Sequence, residues 1–514
     1  MTYRSPTACA QGFYTIGPCG EEALGAAALA LRPDDAVALH YRHLAVSVVR
    51  QLRAGKSLGE VLLDRARAHC VSSLDPVTRA GHCALGGGPH DFLVTSTLAS
   101  QAPPALGRAI GGRLAARLGV TSPLREDGVS YVSVGDGSVN NAHFLSAANM
   151  ACYAQHRGAD TPVVFGVSDN KLCISLKGYG WLGTFLRKLG MPVFEADGGA
   201  MGSVYEQTAA AMEYARAGGG PACVLYANVP RRFGHAGSDR QLAYLTATEV
   251  EAAAETSPLE VHMAAALEAG HFELRELQEL SRDIIERTGA AFERAADEPK
   301  LSSREELIAR NSAPLAKAPA PRRQRRRPAA SNKAKAKGRG AVMRKHMSAV
   351  LDETLKAHSH AVYLGEDVEH GGYYLVTEGL AKAHPGRVRD WPPDETTLLG
   401  AGVGFSQAGL LPLVEIPYAK YLDCGADTFF ELAFANWMSA GKQPNGMVIR
   451  LQGFDRGLFG GNFHTHNQLH IPPGVDVVCY RCAPASVLAG KLSPRRPEIL
   501  VLPTDAMLSL TLRA

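Results

Sequence analysis

No part of this chain restricts its fold more than Ser130–Asn170. The stretch opens with the apolar, β-branched run Tyr131 to Val134, then Gly135-Asp136-Gly137-Ser138 and Asn140-Asn141. Apolar residues at helical spacing follow (Phe144, Leu145, Ala147, Ala148, Met150). A second apolar run, Pro162 to Ser168, closes on Asp169-Asn170. Strand, glycine-rich turn, helix and strand make a βαβ unit. Two glycines let backbone come close to a ligand, and the helix N-terminus behind them offers free N–H groups to an anion. Asp136 and Asn170 fall at the carboxyl ends of neighbouring parallel strands, where open α/β sheets bind ligands. One carboxylate and one amide oxygen suit Zn²⁺ poorly. They suit Mg²⁺, which completes its octahedron with phosphate and water. The same residues also make ordinary turns, so the phosphate–Mg²⁺ reading needs support from elsewhere in the chain.

The 514 residues give room for two or three domains, and 46% apolar against 20% charged is a globular balance. Most of the net charge of +4 is local, in the basic runs Arg322–Arg327 and Lys333–Arg339. These lie in Ala313–Gly340, a Pro-, Ala-, Lys- and Arg-rich segment with no apolar period. It reads as a solvated tether rather than a nucleic-acid site. The expected division is therefore residues 1–312, a linker over 313–341, and 342–514. No run of about 20 apolar residues exists, so no membrane span is expected. Met1–Gln11 lacks a signal pattern. Ten scattered cysteines suit a reducing compartment better than a disulfide framework. The cytoplasm is expected, or the mitochondrial matrix for a eukaryotic source whose presequence is missing. Cys479-Tyr-Arg-Cys482 has no second pair and reads as a coincidence at a strand end.

Along the chain, a helix is expected from about Glu21 to Leu31, ahead of His40-Tyr41-Arg42. An Arg at a helix start can hold phosphate bidentately. Thr95–Gln101 is small and polar around the bulky Leu98, and a helix from about Ala105 to Leu118 follows. Tyr153–Asp160 reads as a loop. Pro221–Asn228 reads as a buried strand leading into a Gly-, His- and Ser/Asp-rich loop with His235, a natural place for chemistry. Residues 247–312 have helical periodicity. The pattern restarts at Val342: helix Met343–His358, strand Ala361–Leu364, then Pro392-Pro-Asp-Glu395. A glycine-rich apolar run, Leu398–Leu411, reads as close-packed helix. Strands are expected at Leu413–Ile416, Met447–Leu451, Val475–Val478 and Ile499–Leu502. His464-Thr-His466 lacks a nearby Cys or carboxylate at ligand spacing, so a metal is not expected there.

Gly-Asp-Gly with an Asn after the next strand, 34 residues beyond Asp136, resembles the thiamine diphosphate signature. Both halves of the chain resemble the decarboxylating first component of 2-oxoacid dehydrogenase complexes. Residues 12–312 are similar to its α subunit and 342–510 to the N-terminal domain of its β subunit. The resemblance implies an α/β thiamine diphosphate-binding fold. Two doubly wound parallel-sheet domains, diphosphate-binding then pyrimidine-binding, would be joined by the basic linker. It implies Asp136, Asn170 and the Leu172 carbonyl as Mg²⁺ ligands. Tyr41 and Arg42, with His40 beside them, would hold the diphosphate, together with the Gly135-Asp136-Gly137-Ser138 turn. Leu98, flanked by Ser96, would wedge the cofactor into a V shape. Glu395 would activate it through the pyrimidine ring, and Tyr421 would stack on that ring. His466 and His235 would move protons during acyl transfer, which suits histidine near neutrality. The His235 loop is about one residue shorter than in two-histidine versions of the motif.

The function so implied is oxidative decarboxylation of a 2-oxoacid with acyl transfer to the lipoyl group of a dihydrolipoyl acyltransferase. His40-Tyr-Arg42, Ser96 and Gly-His before Ser-Asp lean towards branched-chain substrates over pyruvate. A homodimer of the fused chain is expected. The resemblance of the β-type half reaches only the first of the two domains such subunits carry, so the second is expected to be missing. That sets a truncated, non-catalytic paralogue beside the enzyme as an alternative, along with a pyruvate or acetoin dehydrogenase type. Transketolase is disfavoured by the α-then-β order.

Overall fold

The computed structural model describes residues 16–18, 20–79, 83–306, 343–439, 443, 445–453, 470–471, 475–479 and 498–503. His466, the 313–341 linker and Cys482 lie outside them. The described residues fall into two compact units, one drawn from residues 1–113 and 123–308, the other from 114–122 and 309–514.

In the first unit, five parallel strands form one sheet: β1 (Ala36–Ala38), β2 (Ser130–Gly135), β3 (Val163–Ser168), β6 (Val193–Asp197) and β7 (Ala222–Ala227), in the order β1-β2-β3-β7-β6. A separate antiparallel hairpin pairs β4 (Leu172–Cys173) with β5 (Leu176–Lys177). β3 is buried along its whole length, and β2 and β7 at all but their last residue. Continuous apolar runs are what a parallel sheet covered on both faces requires. The buried hydroxyls of Tyr131 and Tyr226 meet at 2.9 Å, and Tyr226 also meets Thr208 at 2.8 Å, so the aromatic core leaves neither phenol unpaired.

The helix after β2 spans Ala142–His156, and Asn141 caps it by accepting from the His143 N–H at 2.9 Å. It runs four residues into the segment Tyr153–Asp160 that the sequence suggested as loop. The apolar face does not stop at Tyr153: Ala154 is buried and carries the packing one turn further. Helix Ala102–Arg117 agrees with expectation. The Glu21–Leu31 region divides into a 3-10 turn, Glu21–Ala26, and one α-helical turn, Ala27–Ala30.

The second unit has six parallel strands: β8 (Ala361–Gly365), β9 (Val388–Asp390), β10 (Leu411–Ile416), β11 (Val448–Gly453), β12 (Asp476–Cys479) and β13 (Glu498–Pro503), ordered β12-β13-β11-β10-β8-β9. The chain steps outward from β8 to β9, then returns to place β10 on the other side of β8. That reversal marks a doubly wound sheet. In the first unit the strands run on from β1 through β2 and β3 to β6, and the chain turns back for β7, which lies between β3 and β6. The glycine-rich run Leu398–Leu411 is mostly helix (Glu395–Gln407). A Cβ on Gly402 would stand 3.0 Å from the Met447 side chain and 3.2 Å from Val414, so the glycine is there for packing. Across β10 and β11, Glu415 and Arg450 are register partners and form a buried ion pair at 2.5 Å; the Tyr363 hydroxyl donates to the same carboxylate.

Candidate functional site

Parallel strands present all their carboxyl ends at one edge. At that edge of the first unit, the segments after β1, β2, β3 and β7 enclose a cavity of about 280 Å³. His40, Tyr41 and Arg42 follow β1. Gly135 ends β2, and Asp136, Gly137 and Ser138 follow it. Asn170 and Leu172 follow β3, and His235 follows β7. Ser96 and Leu98 come from the loop before helix Ala102–Arg117. All twelve line this one cavity. Leu98 is 37% exposed, a bulky apolar side chain on the cavity wall.

The turn after β2 is tightly built. Gly137 N–H donates to its neighbour's Asp136 Oδ1 at 2.6 Å. The Leu172 N–H lies 3.2 Å from Asp136 Oδ2 and 3.0 Å from Asn170 Oδ1, so one amide gathers both side-chain oxygens. A Cβ on Gly137 would come within 2.2 Å of Cys173 Sγ. Glycine is therefore needed for the β4 backbone to close on the turn. Lys171 and Ile174 hold left-handed backbone (φ 64° and 54°) without being glycine. Each costs on the order of 1 kcal/mol and is typical of a segment shaped for a ligand.

The Asp136 carboxyl is pushed above the usual carboxylate range, first by burial and further by the nearby Asp169 charge. None of the described ion pairs involves it. A divalent cation would relieve that cost. The oxygens of Asp136, Asn170 and Leu172 suit a hard ion that keeps its remaining places for phosphate and water. Among the described residues no group of three His, Cys, Asp or Glu could hold a metal, which excludes a zinc-type cage there. The donor set fits Mg²⁺.

Arg42 donates from Nη1 to the Gly17 carbonyl (2.9 Å) and from Nη2 to the His235 carbonyl (2.6 Å), and Nη2 lies 3.1 Å from His235 Nδ1. A guanidinium cannot accept, so Nδ1 is unprotonated. Burial and the charges of Arg42 and Arg231 hold His235 below its ordinary pKa, in agreement. His40 is held well below its own, mainly by burial.

Sequence reasoning missed Arg231. Its Nη1 donates to the carbonyls of Leu172 (2.9 Å) and Ile174 (2.7 Å), and its Nη2 faces Asp239 at 3.4 Å. Asp239 also accepts from the His235 N–H and the Tyr244 hydroxyl. The expected cation ligand Leu172 is thus tied to the His235 loop. The twin arginines after β7 were the available signal, without a means of choosing between them.

In the second unit, Glu395 opens helix Glu395–Gln407 beyond β9, and Tyr421 sits in the 3-10 segment Ala419–Gly425 after β10. The two segments touch: a Cβ on Gly425 would stand 2.9 Å from the Glu395 carbonyl. Burial, then the charges of Glu366 and Asp394, raise the Glu395 carboxyl, which favours a proton-carrying acid. The rings of Tyr418 and Tyr421 stand edge-on, 5.7 Å apart.

Residues 9–304 match the family described as "Dehydrogenase E1 component". The chain belongs to the dehydrogenase E1 component family. Residues 339–469 of this E1 chain match the transketolase pyrimidine-binding domain. It is 28% identical over 298 residues to the 2-oxoisovalerate dehydrogenase subunit alpha of Bacillus subtilis, covering 55% of this chain and 81% of that one. To the 2-oxoisovalerate dehydrogenase subunit beta of Pseudomonas aeruginosa it is 34% identical over 128 residues, covering 24% of this chain and 36% of that one. To the mitochondrial pyruvate dehydrogenase E1 component subunit beta of Pisum sativum it is 35% identical over 128 residues, 24% and 35% of the two chains. The chain thus spans about a third of these beta-type relatives. Among the described residues no helix is long and apolar enough to cross a membrane.

Proposed function

We propose that the chain binds thiamine diphosphate with Mg²⁺ and decarboxylates a 2-oxoacid, passing the acyl group to the lipoyl arm of a dihydrolipoyl acyltransferase. The observation that carries this reading is the cavity at the carboxyl edge of β1, β2, β3 and β7, with Asp136, Asn170 and Arg42 on its wall. When bound, the cofactor supplies the carbanion chemistry that removes CO₂. The chain's own residues do the rest. Asp136, Asn170 and the Leu172 carbonyl hold the cation. Tyr41, Arg42 and the turn Gly135–Ser138 hold the diphosphate, with His40 beside them. Leu98, on the cavity wall, would limit the space open to the cofactor. Glu395, kept protonatable by burial, would hold and move a proton at its carboxyl where the cofactor's pyrimidine end binds, and Tyr421 would help hold that end. His235 and His466 serve the proton transfers of acyl delivery. The α- and β-type 2-oxoisovalerate relatives favour a branched-chain substrate, with pyruvate second. A homodimer is the expected assembly.

The test is thiamine diphosphate-dependent decarboxylation of 3-methyl-2-oxobutanoate and pyruvate with an artificial electron acceptor. Turnover is expected on both, faster on the branched acid. Asp136→Ala should weaken cofactor binding by about 100-fold in calorimetry, the loss of a charged ligand worth roughly 3 kcal/mol. Unchanged binding in that variant would sink the reading. Tight binding with no turnover on any 2-oxoacid would favour a non-catalytic paralogue.

A further inference from the structure

His43 is 1% exposed and is not among the cavity-lining residues. It lies between two strand ends. Its Nδ1 is 2.8 Å from Ser133 Oγ on β2, and its Nε2 is 3.1 Å from Ser168 Oγ, the last residue of β3. Ser133 Oγ also accepts the His40 N–H at 3.0 Å. Ser168 Oγ also faces the Val134 carbonyl at 3.4 Å. A carbonyl can only accept, so Ser168 spends its one proton there. Nε2 of His43 must then donate to Ser168, and Nδ1, in a neutral ring, must accept from Ser133. Burial does hold His43 far down, to about 3, so the ring is neutral. The result is a directed chain from the His40 N–H through Ser133, His43 and Ser168 to Val134. One end fixes the segment that carries Tyr41 and Arg42. The other fixes the residue two positions before Asn170, and Ser168 itself lines the cavity.

We propose that His43 is a positioning residue that couples the His40–Arg42 segment to the end of β3, so that cation and diphosphate strengthen each other's binding through it. The inference rests on the functional reading above. Either ligand, by fixing its own strand end, lowers the ordering cost left for the other. Such coupling is reciprocal.

The experiment titrates the full chain with thiamine diphosphate by calorimetry, with Mg²⁺ and with EDTA, and takes the ratio of the two Kd values. Ser168→Ala cuts the strap at the cation end and keeps His43 seated on Ser133. It should lower the ratio about fivefold or more, with Kd in EDTA changed less than about twofold. His43→Gln should lower it in the same direction. The double variant should lose no more than the larger single loss, because both remove one strap. A merely structural role would weaken binding equally in both buffers and leave the ratio unchanged, which overturns the inference while the functional reading stands. A wild-type chain that binds no thiamine diphosphate in either buffer overturns both. A readout free of ligand is the nitrogen-15 spectrum of labelled histidine. His43 should show the Nε2–H tautomer at neutral pH, and an Nδ1–H tautomer or an imidazolium there contradicts the strap directly.

Discussion

Two residues at the β2 turn show how little room the site leaves. Gly137 and Cys173 sit so close that a methyl group on the glycine would overlap the thiol. Gly137→Ala should therefore abolish thiamine diphosphate binding while the rest of the sheet still folds. Adding Cys173→Ala removes the nearer atom but leaves the Cys173 Cβ at 3.0 Å, so the double variant should recover binding only in part. Calorimetry on both variants checks this, and full binding by Gly137→Ala alone would contradict the packing. The buried histidines make a pH prediction. The folded state holds His43 neutral down to about 3, whereas the unfolded chain binds that proton near 6.5. Between those values the unfolded state carries more protons, so stability is complete above about pH 6.5 and falls as pH drops. By linkage the loss from His43 alone is about 2 kcal/mol between pH 6.5 and 5. His40 and His235 are shifted the same way and add to it. Urea midpoints across that range should fall in the wild type and fall less in His43→Gln.

At the scale of strands and helices, legibility followed length and continuity. β2, β3 and β7 were readable because each is a mostly apolar run buried almost throughout, as a doubly covered parallel strand is. β1 was not, since Ala36–Ala38 is three residues and gains its meaning only from pairing with Ser130–Val132. The site residues that were legible, Asp136 and Asn170 above all, stand next to readable strand ends. His43 was not legible, because its partners Ser133 and Ser168 lie 90 and 125 residues away in sequence. Arg231 rather than Arg232 could not be chosen, because only the course of the chain after β7 decides which one reaches the Leu172 carbonyl. A stability prediction belongs to β10 and β11. Arg450→Met removes the ion-pair partner of the buried Glu415 carboxyl beside Tyr363, and should cost about 3–5 kcal/mol in urea unfolding. Replacing both, Glu415→Gln with Arg450→Met, should recover much of that loss. A double variant as unstable as the single one would show that the ion pair is not the cause.

For the whole molecule, the chain carries an E1-type half and a pyrimidine-binding-type half in one polypeptide, and it spans about a third of its beta-type relatives. The account of its function stands on the first unit's cavity, and the most direct measurement is of that cavity. Crystals of the full chain grown with thiamine diphosphate and Mn²⁺ in place of Mg²⁺ would locate the cation by its anomalous signal. The account predicts one Mn²⁺ bound by Asp136, Asn170 and the Leu172 carbonyl, with the diphosphate against Tyr41 and Arg42. A cation or cofactor bound elsewhere, or a cavity that takes up neither at saturating concentration, would contradict it.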